Sequence, residues 1–219
     1  MKRRYSTPLQ IITHVGSIVP LVMLVFDFWL DNLGPDPIRA SILRTGKTAL
    51  ILLLLSLGCS PINTIFKFRP VIRLRRPLGI YAVIYAGIHL LLFVGVDYGF
   101  NLELLKDALL EKRYAIVGLT TFSILLPMAI TSTKRWKKRL GKNWKHLHRL
   151  IYPASILAIV HFIWLVKQGV IEPWYYAGIV VILLTLRLPF LKRYFANIQF
   201  RRFSIVIWLS QLHGQKTSG

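Results

Sequence analysis

The sequence predicts an all-α integral membrane protein, built as a bundle of six transmembrane helices. Hydrophobic residues make up 54% of its 219 residues and the mean hydropathy is +0.53, which is more apolar than a soluble domain of this length. Six apolar runs come close to the roughly 20 residues that a helix needs to cross a bilayer. Because these runs are continuous, they exclude the alternating pattern of a membrane β-barrel.

The six predicted helices follow one another within a single transmembrane domain that spans residues 1–219. Their predicted ranges are 11–30, 48–66, 78–96, 114–130, 147–166 and 174–190, and residues 191–219 are predicted to form a cytoplasmic tail. The first run is long for a signal-peptide core and no small-residue cleavage site follows it, so we expect it to be retained. Residues 101–113 predict a short amphipathic helix on the outer face. No internal repeat is evident.

The charge pattern indicates membrane topology rather than a nucleic-acid partner. The chain carries 29 basic and 8 acidic residues, a net charge of +21. The basic residues fall in blocks between apolar runs, so we expect membrane lipid and no nucleic acid around them. Basic blocks precede the first, third and fifth helices, while acidic residues concentrate in 97–111. The positive-inside rule therefore predicts that both termini lie in the cytoplasm.

Cysteine usage excludes several cofactor classes. Cys59 is the only cysteine of the chain, so intrachain disulfides, Cys-ligated iron–sulfur clusters and c-type haem attachment are ruled out. It lies in an apolar run, where we expect it to be a small buried hydrophobe rather than a nucleophile.

Two histidines lie inside predicted transmembrane helices at matched depth. At 1.5 Å per residue, His89 is about 16 Å and His161 about 21 Å from the start of its helix, somewhat beyond the midplane towards the outside. Either histidine alone is equally well interpreted as a core residue bonded to a neighbouring backbone group or hydroxyl. Two at one depth, with no intramembrane carboxylate to relay protons, favour a shared ligand.

The shared ligand that fits best is haem. Two neutral imidazoles can hold its iron from opposite sides, and filling both axial positions favours electron transfer over oxygen chemistry. Zinc is a weaker alternative, because two histidines leave its tetrahedral shell incomplete. Gly79 and Gly87 would allow a close approach to the backbone. Aromatic residues that could line the haem slot are Tyr81, Tyr85, Phe93, Phe162 and Trp164.

A second level of candidate residues lies nearer the cytoplasm. His148 precedes His161 by thirteen positions, about 20 Å and about 140° around an ideal helix, so a kink at Pro153 would be needed to bring the two towards one face. Counting back thirteen or fourteen residues from His89 gives Arg76 and Arg75. This level predicts a site for an anionic or polar group, such as a flavin phosphate, a quinone head group or haem propionates. The alternative is that both arginines only determine topology. His14 is a minor further candidate to line the site.

Three segments carry a family resemblance that covers nearly the whole chain. The segments "TGKTAL", "RRPLGIYAVIYAGIHLLLF" and "ITSTKRWKKRLGKNWKHLHRLIYPASILAIVHFIWLVK" resemble the MsrQ family, formerly YedZ, of haem-binding membrane subunits in bacterial methionine sulfoxide reductase systems. More distantly, the chain is similar to the ferric reductase and NADPH oxidase transmembrane domain, which carries two histidines on each of two helices. Here His89, His148 and His161 match, and Arg75 and Arg76 lie near the fourth position.

The resemblance implies a specific function. It implies a ferric-reductase-like bundle in the bacterial inner membrane that binds haem b and FMN. It further implies electrons drawn from the respiratory quinone pool or a cytosolic flavin reductase, and delivered to MsrP, a periplasmic molybdenum-containing reductase that repairs methionine sulfoxide. Two alternatives remain open at the level of sequence: a stand-alone transmembrane ferric or quinone reductase, and a transporter whose histidines bind substrate or merely pack.

Overall fold

The computed structural model describes residues 8–167 and 169–188, and all regular structure within them is helical. A 3₁₀ turn, Arg69–Arg73, precedes the third helix, and a π-helical turn, Leu92–Asp97, extends it. The helices are α1 (Pro8–Trp29), α2 (Pro37–Phe66), α3 (Arg75–Leu91), α4 (Leu102–Glu111), α5 (Arg113–Ile130), α6 (Lys134–Leu140), α7 (Asn143–Arg149), α8 (Ile151–Leu165) and α9 (Glu172–Thr185).

Within the described residues, five helical segments are long and apolar enough to cross a membrane. They are Pro8–Trp29, Pro37–Phe66, Arg69–Asp97, Arg113–Ile130 and Asn143–Leu165. The chain is therefore a multi-pass membrane protein, as predicted. The helix predicted at 174–190 corresponds to α9, which has 14 residues and spans only about 21 Å. Its predicted end at 189–190 and the predicted tail 191–219 lie outside the described residues, so the sixth crossing stays a prediction.

Helix α2 begins eleven residues before the predicted start at 48, because its first turns are stabilised by polar contacts. Asp36 caps the helix by accepting a hydrogen bond from the Arg39 backbone nitrogen at 2.9 Å, and Pro37 occupies the first helical position. Two of the basic residues in this stretch are paired. Arg44 forms an ion pair with Asp27 of α1, and Lys47 forms one with Glu172 of α9.

The predicted fifth helix is interrupted, as the proline in it suggested. Helix α7 ends at Arg149 and α8 begins at Ile151, with the break at Leu150. Pro153 lacks an amide proton, and its ring clashes with the carbonyl four residues earlier, which belongs to Arg149. Leu150 itself keeps right-handed helical dihedral angles, φ −62° and ψ −9°, so α7 and α8 follow each other as one candidate membrane span.

The predicted amphipathic helix at 101–113 forms as α4. Asn101 caps it by accepting hydrogen bonds from the backbone nitrogens of Glu103 and Leu104, at 3.0 and 3.2 Å. Leu102 and Leu110 are exposed while Ala108 is buried, so the apolar side chains of α4 are only partly covered by the bundle.

Helix α2 is the centre of the bundle. In its apolar window 56% of the residues are buried, against 11–22% in the other four candidate spans. Cys59 is 2% exposed, as predicted, and its thiol donates to the Leu55 carbonyl at 3.2 Å. Core residues from α3, α5, α8 and α9 pack around α2. We call the end of the bundle that holds segments 67–76 and 131–149 the basic end, and the opposite end, with 30–36 and 97–112, the acidic end.

Candidate functional site

His89 on α3 and His161 on α8 face each other near the acidic end of the bundle. Their ring centroids are 6.0 Å apart and the ring planes are nearly perpendicular, at 89°. Both side chains are only partly buried. The two histidines that the sequence placed at matched depth are therefore brought together between two helices.

Each imidazole is oriented by a backbone carbonyl. Nδ1 of His89 donates to the Ile42 oxygen at 2.8 Å, and Nδ1 of His161 donates to the Tyr114 oxygen at 2.7 Å. Since a carbonyl can only accept, the proton of each neutral ring lies on Nδ1 and the lone pair of Nε2 is available. Metal-binding histidines are oriented in this way, with the second nitrogen donating to a carbonyl or carboxylate.

A glycine makes room for each ring. A Cβ atom placed on Gly46 of α2 would lie 2.9 Å from Nδ1 of His89, and one on Gly118 of α5 would lie 2.7 Å from Nδ1 of His161. Contacts that short do not occur for real Cβ atoms, so only glycine is compatible with the observed ring positions. Neither glycine was predicted as part of the site.

The two glycine–histidine contacts belong to an internal repeat, which corrects the expectation that none exists. Both hydrogen bonds join residues 47 positions apart in the chain. Adding 72 to the numbers of Ile42, Gly46 and His89 gives Tyr114, Gly118 and His161. The repeat unit is a helical hairpin: α2–α3 in the first copy, and α5 with α7–α8 in the second. A glycine 43 positions before each histidine was the sequence signal that could have revealed both the repeat and the glycines.

The separation of the two rings is close to that of two imidazoles bound to one metal ion. Two metal–nitrogen bonds of about 2 Å each, plus the distance from each coordinating nitrogen to its ring centre, add up to about 6 Å. The observed separation of 6.0 Å matches this sum. Among the described residues, no group of three or more His, Cys, Asp or Glu side chains could hold a metal ion. A zinc site built from protein ligands alone is therefore not supported in this part of the chain.

The aromatic residues expected around the haem have their contacts elsewhere. Tyr114 is the aromatic residue that contacts a site histidine, with its ring 6.0 Å from that of His161. Of the residues predicted for this role, Tyr81 pairs with His14, Tyr85 with the Ser17 carbonyl, Phe93 with Tyr98 and Phe162 with Tyr176, while Trp164 is 52% exposed. Gly79 does allow a close helix approach, since a Cβ there would be 3.3 Å from Ser56 Oγ. A Cβ on Gly87 would make an ordinary 3.7 Å contact with the Phe122 ring.

A cavity at the basic end brings together the second set of predicted residues. Its volume is about 350 Å³, and Arg75, Arg76 and His148 all line it. It lies between the same helices as the histidine pair, because Leu53, Val83, Leu125 and Ile151 also line it from α2, α3, α5 and α8. The lining residues, all within the described chain, include no carboxylate.

The imidazole of His148 is held against the short helices of the basic segment. Its Nε2 lies 3.3 Å from the Thr131 hydroxyl, and its ring stacks on Trp144 at 4.1 Å between centroids. Trp144 is fixed in turn by donating from Nε1 to the Thr131 carbonyl at 3.0 Å. Unlike the pair at the acidic end, His148 faces no second histidine among residues 8–167 and 169–188.

Among the cavity residues that the sequence did not predict are Lys134, Lys137 and Trp144. They lie on α6 and α7, two helices of seven residues each that fold back over the end of α5. Lys137 lies over the Trp144 ring, with its ammonium 5.2 Å from the ring centroid. The signal in the sequence was tryptophan in an otherwise basic segment, together with Gly141, whose φ of +51° permits the turn between the two helices.

Comparison with known proteins identifies the class and then the family. Residues 43–159 match the family described as "Ferric reductase like transmembrane component", which is more than half of the chain. The helical bundle and the facing histidines thus belong to a membrane protein of the ferric-reductase-like class. The relatives narrow this assignment further.

Several relatives share most of their length with this chain. The chain is 41% identical to "Protein-methionine-sulfoxide reductase heme-binding subunit MsrQ" of Xanthomonas axonopodis pv. citri over 79% of this chain and 82% of the relative. The subunit of the same name from Rhodospirillum rubrum is 36% identical over 84% of this chain and 89% of the relative. The chain belongs to the MsrQ family.

Proposed function

We propose that this protein is the haem-binding, electron-carrying membrane subunit of a protein-methionine-sulfoxide reductase system, with His89 and His161 as the axial ligands of haem b iron. The observation that carries the proposal is the facing pair of imidazoles, 6.0 Å apart, each with its Nδ1 proton donated to a backbone carbonyl. The relatives are named as heme-binding subunits, which supports the choice of haem.

The protein side chains would present a rigid pair of neutral nitrogen ligands. The carbonyls of Ile42 and Tyr114 fix the tautomer and orientation of each ring. Because Gly46 and Gly118 have no Cβ, the rings can lie close against the backbone there. When bound by two histidines, haem supplies one-electron transfer and leaves no axial position for a substrate. The subunit is then an electron carrier and not the catalytic centre.

The cavity at the basic end would hold a second, anionic or polar redox group. Arg75, Arg76, Lys134 and Lys137 surround it without a carboxylate. The planar arginine fork suits a phosphate or a carboxylate, so the phosphate of FMN, a quinone head group or haem propionates would fit its charge. The family resemblance favours FMN. His148 would contact the bound group, or serve as an additional haem ligand.

The charge distribution supports a direction for electron flow. If the basic end faces the cytoplasm of a bacterial inner membrane, both termini are cytoplasmic and the histidine pair lies nearer the periplasm. Electrons would enter from the quinone pool or a cytosolic flavin reductase, and leave to the periplasmic molybdenum-containing reductase MsrP. Residues 1–219 would form one transmembrane domain with a cytoplasmic tail from 191.

The test is an oxidised-minus-reduced absorption spectrum of the purified protein, with a pyridine haemochrome count. We expect low-spin b-type bands in the wild type, and their loss in His89→Ala and in His161→Ala. His146→Ala is the matched control, because that histidine is exposed on α7 and does not line the cavity. Full six-coordinate spectra in both single ligand variants would disprove the ligand assignment.

The match to the ferric-reductase family favours a second candidate, a stand-alone transmembrane ferric or quinone reductase. Reduction of soluble iron chelates by the purified protein, without MsrP, would support it. A folded preparation that stays colourless after expression with excess haem would instead point to the transporter alternative.

A further inference from the structure

A hydrogen-bonded pair of polar side chains, one exposed and the other half-buried against the core, lies at the surface of the bundle, away from both sites described above. His14 of α1 and Tyr81 of α3 are joined through Nδ1 and Oη at 3.1 Å, and their rings meet edge to face at 5.6 Å. His14 had been a candidate to line the basic cavity, but it does not. It is exposed on a helix apolar enough to cross a membrane.

The surroundings of the pair are apolar and open. Ile11 and Ile18, one turn to either side of His14, are 53% and 46% exposed, and Ile84, one turn after Tyr81, is 48% exposed. Polar side chains that only hold membrane helices together are found within the helix interface, where the bilayer does not reach them. An ionisable side chain on a bilayer-facing surface is unusual and marks a functional site by default.

We propose that His14 and Tyr81 form a binding site for a membrane quinone and its hydroquinone, entered from the bilayer and separate from the basic cavity. The inference rests on the proposed electron-transfer function and names the donor site within it. The occupant would reach the pair through lipid, so it would be apolar, and it would hydrogen-bond to the free imidazole nitrogen of His14. A quinone and its hydroquinone meet both conditions, the first by accepting and the second by donating through a ring oxygen.

The two tautomers of His14 match the two oxidation states of such a ligand. When Tyr81 Oη donates to Nδ1, the imidazole proton lies on Nε2, which can donate to a quinone carbonyl. When Nδ1 donates to Tyr81 Oη, Nε2 accepts a hydrogen bond from a hydroquinone hydroxyl. The pair can therefore hydrogen-bond to either form while the bond between His14 and Tyr81 is kept.

The position of the pair on α3 connects it with the histidine pair. Tyr81, Tyr85 and His89 follow at four-residue intervals, so Tyr81 and His89 are separated by about 12 Å along the helix and by about 80° around it. Arg76 and Gly79, which line the basic cavity, lie on another face of α3. A ligand at His14 would thus lie about two turns of α3 from the haem ligand.

The test uses the holoprotein in nanodiscs of quinone-free lipid, titrated with decylubiquinone, with binding measured by equilibrium dialysis. We expect one saturable site, weakened about tenfold in His14→Gln and in Tyr81→Phe by loss of one hydrogen bond. The b-type bands should stay unchanged in both variants. His146→Gln and Tyr175→Phe are the matched controls, since both are exposed residues of the same types outside the site.

Binding that is unsaturable, that survives both substitutions, or that is lost in Arg76→Gln instead would overturn the proposal. Tyr81→Phe removes a single oxygen atom and decides the matter if His14→Gln fails to fold. A colourless wild type that still bound decylubiquinone through His14 would refute the proposed function and leave this site in place.

Discussion

The two hairpins of the internal repeat agree at one end of the bundle and differ at the other. At the acidic end, both copies place a histidine over a glycine and against the carbonyl four residues before that glycine. At the basic end, the 72-residue shift relates Arg76 of the first copy to His148 of the second. The same backbone arrangement thus carries two histidines at one level, and an arginine and a histidine at the other.

The difference supports the proposal that the acidic end and the basic end bind different chemical groups. An iron held axially needs two neutral nitrogen donors, and matched histidines provide them. Arginine stays protonated at any accessible pH and has no lone pair to offer, so Arg76 cannot complete such a site. Arg76 adds a fixed positive charge beside Arg75, Lys134 and Lys137, which suits an anion.

The largest expected effect comes from filling the space beside one histidine ring at the acidic end, where the two hairpins agree. In Gly118→Ala the new methyl group would lie 2.7 Å from both Cε1 and Nδ1 of His161, so the imidazole must move and lose its bond to the Tyr114 carbonyl. We expect haem content to fall at least about tenfold, as happens when the orienting partner of a metal-bound histidine is lost. The measurement is a haemochrome count per purified chain.

Gly46→Ala should act in the same way through His89, because the contacts of the two copies are equivalent. Gly178→Ala in α9 is the matched control, since a Cβ there meets nothing within 4 Å. Alanine otherwise favours helix over glycine by about 1 kcal/mol, so general destabilisation is not expected from the substitution itself. Normal haem content in both Gly46→Ala and Gly118→Ala would show that the rings are not confined as described.

The next-largest effect is expected at the basic end, where the two hairpins differ. In Arg76→Gln we expect haem content to be unchanged while FMN, added to the purified protein, binds about tenfold more weakly, because one charge-assisted contact is worth about 1.5–3 kcal/mol. Arg76→Lys should restore only part of the affinity, since lysine keeps the charge but lacks the planar fork. FMN fluorescence quenching provides the measurement.

Arg135→Gln serves as the control for Arg76→Gln, because Arg135 is an exposed basic residue that does not line the cavity. Equal losses in the two variants would mean that FMN responds to the overall charge of the basic end. A loss of haem in Arg76→Gln would mean that the two levels are not chemically separate.

The features of the two hairpins that depend on polarity along the chain could be predicted from the sequence. Five of the predicted helices, and the matched depth of His89 and His161, follow from the lengths of apolar runs. The first turns of α2 could not be recognised in this way. Arg44 and Lys47 indicate a helix end when read alone, and their partners Asp27 and Glu172 are close only in the folded bundle.

The cavity, and the space that the glycines leave for the histidine rings, were less predictable, since both depend on how the helices cross. Arg75, Arg76 and His148 were expected to share a level, and they share a cavity. Lys134 and Lys137 join them because α6 folds back, and no periodicity in a seven-residue basic helix reveals that.

A smaller effect is expected from the ion pair next to Gly46, the glycine of the first hairpin. Lys47 adjoins Gly46 and is paired with Glu172. Glu172→Gln would leave the Lys47 ammonium unpaired. Its positive charge would then stabilise the reduced haem, which carries one more electron, and raise the midpoint potential of the haem. Lys47→Gln would lower that potential. We expect shifts of a few tens of millivolts, since about 1 kcal/mol corresponds to about 43 mV for one electron.

Potentiometric titration of the b-type bands measures these shifts, and the double variant should return close to the wild-type value because the net charge is restored. The corresponding position in the second copy is Leu119, so Leu119→Met should leave the potential unchanged. Shifts of the same sign in both single charge variants would exclude an electrostatic origin.

The smallest expected effect concerns the connection that leads into the second hairpin. Lys112 donates from Nζ to Tyr98 Oη at 2.6 Å, and this hydrogen bond raises the pKa of the lysine. A raised pKa in the folded protein means that the bond stabilises below the unfolded pKa of about 10.4 and ceases to do so as the pH rises through the folded value. Tyr98→Phe should therefore lower the melting temperature by only about 1–2 °C at pH of about 8, because Lys112 is half-buried near the surface, where such a contact contributes less than about 1 kcal/mol. At pH of about 11.5 the difference from the wild type should shrink towards zero, whereas a difference independent of pH would mean that Tyr98 stabilises the connection by packing against Phe93 instead.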